Sequence, residues 1–246
     1  MTIAFLEARN PEGLAPHWRD EAAPCKCQSM RIGVLGATGP AGSALASRFA
    51  SVGVEVVVGS RSRERAEEAV EGLRRRWPTR TLPLAPGTNE AAAGCDVVVV
   101  ATPWEGALPT VRALAPTLAG KIVVSMVNVM TRLGERFVPL LPPTGSMAVA
   151  LAGALPESRV AGAFHHLPAG PLGDLERDLA ADVMVFSDDR AATAEVIALI
   201  ARVPGLRGVD VGGLGSGLAV EALTAALVEV NRRYKTHASI KVTGID

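Results

Sequence analysis

The chain carries no net charge. Lys+Arg and Asp+Glu number 25 each over 246 residues, so no sequence-wide basic field exists to gather nucleic acid or an anionic membrane, and neither partner is expected. Any anion must be bound locally. Cysteines are few: Cys25, Cys27 and Cys95 cannot all pair and have no zinc-type spacing with the four histidines. No metal is expected, and a reducing, cytoplasmic setting fits. Long apolar runs are missing too, because Val97 to Ala101 and Lys121 to Val129 are strand-sized against the roughly 18 to 20 residues of a membrane span. Residues 1–29 lack the basic start and apolar stretch of a secretory signal. They are expected to be a loosely ordered extension, with Met30 opening the fold. No internal repeat or low-complexity tract occurs.

What is present is concentrated between residues 30 and 65. The apolar run Met30 to Leu35 feeds directly into Gly36-Ala37-Thr38-Gly39-Pro40-Ala41-Gly42, which opens a helix-like stretch, Ser43 to Val52. A buried strand turning through glycines into a helix aims free N–H groups and the positive end of the helix dipole at whatever lies in front, which is usually a pyrophosphate. The next strand, Val54 to Val58, ends in Gly59-Ser60-Arg61-Ser62-Arg63-Glu64-Arg65. An NAD site would present an acid to a ribose hydroxyl at this point. Here a hydroxyl and arginines stand instead, and the guanidinium fork suits phosphate. The expected ligand is therefore NADP(H), its 2′-phosphate clamped by Ser60, Arg61 and Arg65.

Behind this unit, strand-length apolar runs alternate with helical patterns: Asp96 to Ala101, Trp104 to Leu118, Lys121 to Val127. Thr79 to Leu84 is a candidate third strand, with Pro83 marking an edge. The rhythm specifies an α/β fold, a Rossmann-type doubly wound parallel sheet. A Pro/Gly-rich loop at Pro139 to Gly145 interrupts it. A helix (Ser146 to Leu155), strands (Arg159 to Phe164, Asp182 to Phe186, Leu206 to Val211) and helices (Arg190 to Val203, Leu218 to Tyr234) follow. Residues 30–155 read as the NADP-binding domain, and 156–246 as a smaller docked α/β part.

Other segments have two readings each. Thr102-Pro103-Trp104-Glu105 follows a buried strand, where open α/β sheets bind ligands, yet Pro103 also serves as a helix start. His165-His166 stands at a strand tip beside the expected cleft, as ligand contacts or as structural histidines. Gly212-Gly213-Leu214-Gly215-Ser216-Gly217 precedes a helix and could hold a second anion or act as a joint. The stripe Val220, Leu223, Leu227, Val230 reads as core or subunit interface.

These segments together resemble the NADPH-dependent reductases of coenzyme F420, an 8-hydroxy-5-deazaflavin hydride carrier. The likeness covers nearly all of residues 30–242. It rests on Leu35 to Gly42, Val57 to Arg61, Thr102 to Glu105, Phe164 to Ala169 and Asp210 to Thr224. Carried over by position, it implies NADP contacts at Thr38, Gly39, Pro40, Ala41, Ser60, Arg61, Arg65, Ala101, Glu105, Val127, Leu167 and Ala169. Gly36, Gly42, Thr102, Pro103 and His165 belong to the same expected site. The family commonly has Asn-Leu where this chain has Pro40-Ala41, and Pro40 offers no backbone N–H. The resemblance further implies a homodimer that passes hydride directly between NADP(H) and F420, which needs two rings held face to face and no covalent nucleophile. His165 is the candidate for proton handling. Two alternatives remain open. One is an NADPH-dependent reductase of another flavin, a metal chelate or a small imine or ketone; the other is a non-enzymatic NADP-sensing module.

Overall fold

The computed structural model describes residues 30–245. The expectation for residues 1–29, with Cys25 and Cys27, falls outside them. In chain order the strands are β1 (Arg31–Leu35), β2 (Glu55–Ser60), β3 (Leu84–Thr88), β4 (Val97–Val100), β5 (Ile122–Ser125), β6 (Met130–Leu133), β7 (Arg136–Pro139), β8 (Arg159–Gly162), β9 (Ala181–Ser187) and β10 (Leu206–Asp210). The helices are α1 (Pro40–Ser51), α2 (Arg63–Arg76), α3 (Asn89–Ala93), α4 (Trp104–Leu118), α5 (Met147–Ala154), α6 (Ala169–Gly173), α7 (Arg190–Ile200) and α8 (Gly217–Tyr234). Eight strands form one sheet, ordered β10-β9-β8-β5-β4-β1-β2-β3. Its centre is built from β4 and β5, buried at every position because helices cover both faces, as unbroken valine-rich runs require. Phe49 of α1, Val70 of α2 and Leu199 of α7 fill one face; Val111 of α4, Leu151 of α5 and Val220 of α8 fill the other.

From β3 to β8 all neighbours are parallel, as expected of a Rossmann-type sheet. Then the direction reverses. Strand β9 runs antiparallel to β8, and β10 runs parallel to β9. A parallel return needs a crossover of a dozen or more residues that climbs back down the sheet, usually as a helix. The link from β8 to β9 is long enough, but its one helix, α6, has five residues and does not run back down the sheet, so β9 returns antiparallel from the end where β8 finishes. Residues 156–246 thus supply three strands to the same sheet.

Several boundaries moved. Helix α1 starts at Pro40, three residues before the expected Ser43, because proline's fixed φ suits a first helical position. The third strand is Leu84–Thr88, not Thr79 to Leu84; it is the sheet edge, where Pro86 is tolerated without a ladder N–H. The hairpin β6–β7 and helix α6 were not anticipated. Leu214–Tyr234, which is α8 with the 3-10 turn ahead of it, is long and apolar enough by length and composition to cross a membrane, and about a third of that window is buried in the molecule.

Helix α3 has an unusual seat. A Cβ on Gly59 would lie 2.8 Å from the Cβ of Ala92, one on Gly87 3.1 Å from that of Ala91, and one on Gly33 would collide with the Ala92 carbonyl. Glycines on three neighbouring strands therefore let α3 lie directly on the sheet.

Candidate functional site

The cleft opens where β1 ends. Gly36 takes φ +74°, a left-handed turn that glycine adopts at little cost, and a Cβ there would lie 2.8 Å from Thr102 Cγ2. At Gly42 a Cβ would lie 2.9 Å from Ala37 Cα, so this glycine lets α1 close onto the strand end. Two loop amides are spent internally, Ala37 N on Gly59 O and Gly39 N on Gly36 O. The first-turn amides of Ala41 and Gly42 have no carbonyl one turn back and face forward. Missing its own N–H, Pro40 starts the helix at the place where that donor has no intrahelical use.

A cleft of about 600 Å³ lies before this helix end, large enough for a dinucleotide's phosphates and adenosine. It gathers most of the expected residues: Gly36, Thr38, Gly39, Pro40 and Ala41 from the loop, Ser60, Arg61 and Arg65 from the end of β2 onward, and Ala101, Thr102 and Pro103 after β4. Ser60 is buried, and its Oγ accepts from Ser62 N. Ser62 in turn caps α2 by accepting from Arg65 N, which fixes the turn that presents both arginines. Arg63 is engaged with Glu67 at 3.0 Å, whereas no acid among the described residues pairs with Arg61 or Arg65. Two unpaired guanidinium groups beside a buried hydroxyl fit a 2′-phosphate.

The other expected residues sit elsewhere. Gly42 is packed behind the loop, Glu105 is exposed outside the cleft, and Val127 is buried after β5. Ala169 lines a separate hollow of about 210 Å³ with Pro40, Ser43 and Arg76, and Leu167 lines a smaller one toward the C-terminal residues. Helix α6 is held from below by Arg48 of α1, whose guanidinium donates to the carbonyls of Pro171, Leu172 and Asp174.

A further pattern marks the same edge of the sheet. Among the described residues, the side chains with a buried polar atom lacking any hydrogen-bond partner are Trp77, Asn89, Thr102, Asn128, His165 and His166. All but Trp77 follow the carboxyl ends of parallel strands: Asn89 after β3, Thr102 after β4, Asn128 after β5, the histidines after β8. An unmade bond on a buried polar atom costs about 1 to 3 kcal/mol. The repetition of such groups along one edge coincides with the place where open α/β sheets bind ligands, and Asn89 and Thr102 among them line the cleft itself.

His165 is reached through strain. Phe164 has φ +67°, a left-handed conformation that costs a bulky residue about 1 to 3 kcal/mol and that concentrates at functional sites. The surroundings hold it: Phe164 packs edge-on against Phe49 at 5.9 Å, and the His165 carbonyl accepts from Asn128 Nδ2 at 2.8 Å and Thr224 Oγ1 at 3.1 Å. The His165 ring stacks on Phe186 at 5.5 Å, over a strand position where any Cβ on Gly162 would strike that phenyl ring. Its Nε2 lies 3.9 Å from Glu221 Oε1. The Glu221 carboxylate accepts the Met147 and Ala148 amides at the start of α5, and burial raises its pKa against those bonds.

Burial pushes the His165 pKa down to about 3, helped by neighbouring His166, and lowers that of His166 despite its bond to the Asp182 carbonyl. Both rings are neutral. The unfolded chain takes up protons near pH 6.5 while the folded one does not, so stability is fully present above about pH 6.5 and falls as pH drops toward 3. His165 is expected to cost about 1.4 kcal/mol per pH unit once the pH is about a unit below 6.5, His166 adds to the loss in the same direction, and Glu221 offsets part of it as it protonates. Urea unfolding between pH 7.5 and 5 checks the slope, and a flat profile would place one or both rings in water.

The sequence reading missed Asn89, Gly106 and Thr110 in the cleft wall. It also left Gly212 to Gly217 open between an anion site and a joint. That segment lies at the opposite edge of the sheet, because β9 and β10 run against the other strands. Asp188 Oδ1 already accepts the Leu214 amide, and Gly217 is packed on Ser146 and Phe186. The run is a close-packing joint. The stripe on α8 also divides, with Val220 buried in the core and Val230 exposed.

The family model described as NADP oxidoreductase, coenzyme F420-dependent, matches residues 31–129. An F420-dependent NADP reductase of Methanocaldococcus jannaschii is 34% identical over 223 residues, covering 88% of this chain and 100% of that protein. One from Methanothermobacter thermautotrophicus is 31% identical over 228 residues, covering 89% and 97%. Among solved structures, a protein from Arthrobacter sp. FB24 provisionally described as an F420-dependent NADP-reductase matches with TM-score 0.74 at 25% identity, covering 87% of this chain and 99% of that one.

Proposed function

The chain belongs to the F420-dependent NADP reductase family, and from that membership we propose that it is an oxidoreductase passing hydride between NADP(H) and the deazaflavin coenzyme F420. The observation that carries the reading is the phosphate cleft with its two unpaired arginines, continued along the same strand edge by orphaned polar groups. Once bound, the two carriers supply the hydride donor and acceptor themselves. The protein's part is to hold, align and dry them.

Residues 30–155 contribute the NADP(H) clamp: Thr38 to Ala41 at the pyrophosphate, Ser60, Arg61 and Arg65 at the 2′-phosphate, Ala101 to Pro103 lining the way toward the nicotinamide. Residues 156–246 contribute the acceptor side. The Phe164–His165 turn, pinned by Asn128 and Thr224, fixes where the NADP contacts Leu167 and Ala169 stand beside it. His165 serves this site as a positioning residue, since its ring is buried and neutral. Val127 and Glu105 flank the cleft without lining its phosphate half.

The working form is a cytoplasmic homodimer. Leu218, Val230 and Tyr234 of α8 and Leu133, Phe137, Leu140 and Leu141 on and after the hairpin are exposed, and α8 packs against β7, so the apolar surface is shared between the two elements. A second copy covers this surface better than a bilayer would. The helix turns buried Glu221 inward and ends in Glu229 paired with Arg232 and Arg233.

Mixing the protein, NADPH and oxidised F420 is expected to bleach the visible deazaflavin band. Intact NADPH binding with no bleaching would overturn the acceptor assignment.

A further inference from the structure

Asn89 stands in the wall of the coenzyme cleft, and phosphate chemistry does not account for it. The residue is 7% exposed, and its Oδ1 has no hydrogen-bond partner. Its place is fixed by the backbone. Helix α3, which it opens, rests on the glycine seat of β1 to β3, and Thr88 caps that helix by accepting from Ala91 N. A Cβ on Gly59 would lie 3.1 Å from Asn89 Oδ1, so glycine at the tip of β2 is what leaves room for the amide.

The neighbours divide by chemistry. Ser60, Arg61 and Arg65 offer a hydroxyl and guanidinium donors, suited to phosphate oxygens; Thr102 and Thr110 on the other wall offer hydroxyls. Asn89 is the one planar neutral amide lining the cleft among the described residues. A carboxamide presents a donor beside an acceptor in one plane. Adenine presents the complement, an exocyclic N–H next to a ring-nitrogen acceptor. Asn89 shares the wall with the arginines expected at the 2′-phosphate, and the adenine hangs from the ribose that carries that phosphate.

Resting on the NADP(H) reading above, we propose that Asn89 recognises the adenine ring of the coenzyme. The cleft then selects its dinucleotide at two separate points, the 2′-phosphate by Arg61 and Arg65 and the base by Asn89.

The test titrates wild-type protein, Asn89→Ala and Asn89→Asp with NADP+ and with its 1,N6-etheno analogue, whose fused ring removes the N6 hydrogens and the N1 lone pair. Wild-type protein is expected to prefer NADP+ by about tenfold, the scale of one or two buried hydrogen bonds. Asn89→Ala is expected to lose that preference by weakening NADP+ alone. A preference that survives in Asn89→Ala, an equal loss on both ligands, or a wild-type protein that binds both alike would overturn the assignment. If Asn89→Ala fails to fold, the near-isosteric Asn89→Asp decides: a reduced preference supports the assignment and an unchanged one overturns it. Failure of wild-type protein to bind either dinucleotide would overturn the coenzyme reading, and this inference with it.

Discussion

Neutralising Arg61 and Arg65 together is expected to lower the preference for NADPH over NADH by about a hundredfold or more. Each guanidinium has a free fork beside buried Ser60, and hydrogen bonds to a charged phosphate are worth roughly 1.5 to 3 kcal/mol apiece. Both side chains are exposed, so the lower part of that range applies. NADH lacks the phosphate, and its kcat/KM is expected to stay nearly constant. An unchanged NADPH to NADH ratio of kcat/KM would place the 2′-phosphate elsewhere. Arg63→Ala is the control, since that residue is taken by Glu67.

Phe137→Asp combined with Leu218→Asp is expected to convert the proposed dimer to a monomer. Both side chains are exposed, at 45% and 46%, so they can be charged without opening the core. In a two-fold interface each change is felt twice, and unpaired carboxylates would be buried against apolar partners. Sedimentation measures the assembly, and separate titrations measure the ligands. F420 is expected to weaken far more than NADPH, whose clamp lies in the first βαβ unit. A variant that remains dimeric, or a monomer with unaltered F420 affinity, would remove this face from both roles. Val220→Asp would read folding instead, because that residue belongs to the core.

That the glycine turn and the tip of the second strand line one cleft was legible because they are contiguous: a strand, its turn and the next strand tip lie within about forty residues, and local chemistry decides their geometry. The third strand was misplaced because two prolines compete there, and only the pairing of Pro86 with Val58 at a sheet edge shows which one the strand keeps. The hairpin had a local sign, Gly134-Glu135 between two short runs with Gly134 at φ +60°. Its strands are only four residues long and mostly exposed, so no apolar alternation announced them. Helix α6 had none, since Ala-Gly-Pro-Leu-Gly has low helix propensity and takes its shape from carbonyls gathered on Arg48. Nor could Asn89 be found from sequence, because its place in the cleft depends on the register of β3 against β2.

The reversal at β9 separates the molecule into two working ends. Every loop that follows β1 to β5 or β8 lies at the same end of the sheet as the cleft, while the loops that follow β9 and β10 lie at the other end. At Gly215 a side chain would meet nothing within 4 Å. A tether or dye attached at that position would touch none of the residues that line the cleft. Such an anchor could immobilise the protein on an electrode or bead with its cleft facing outward.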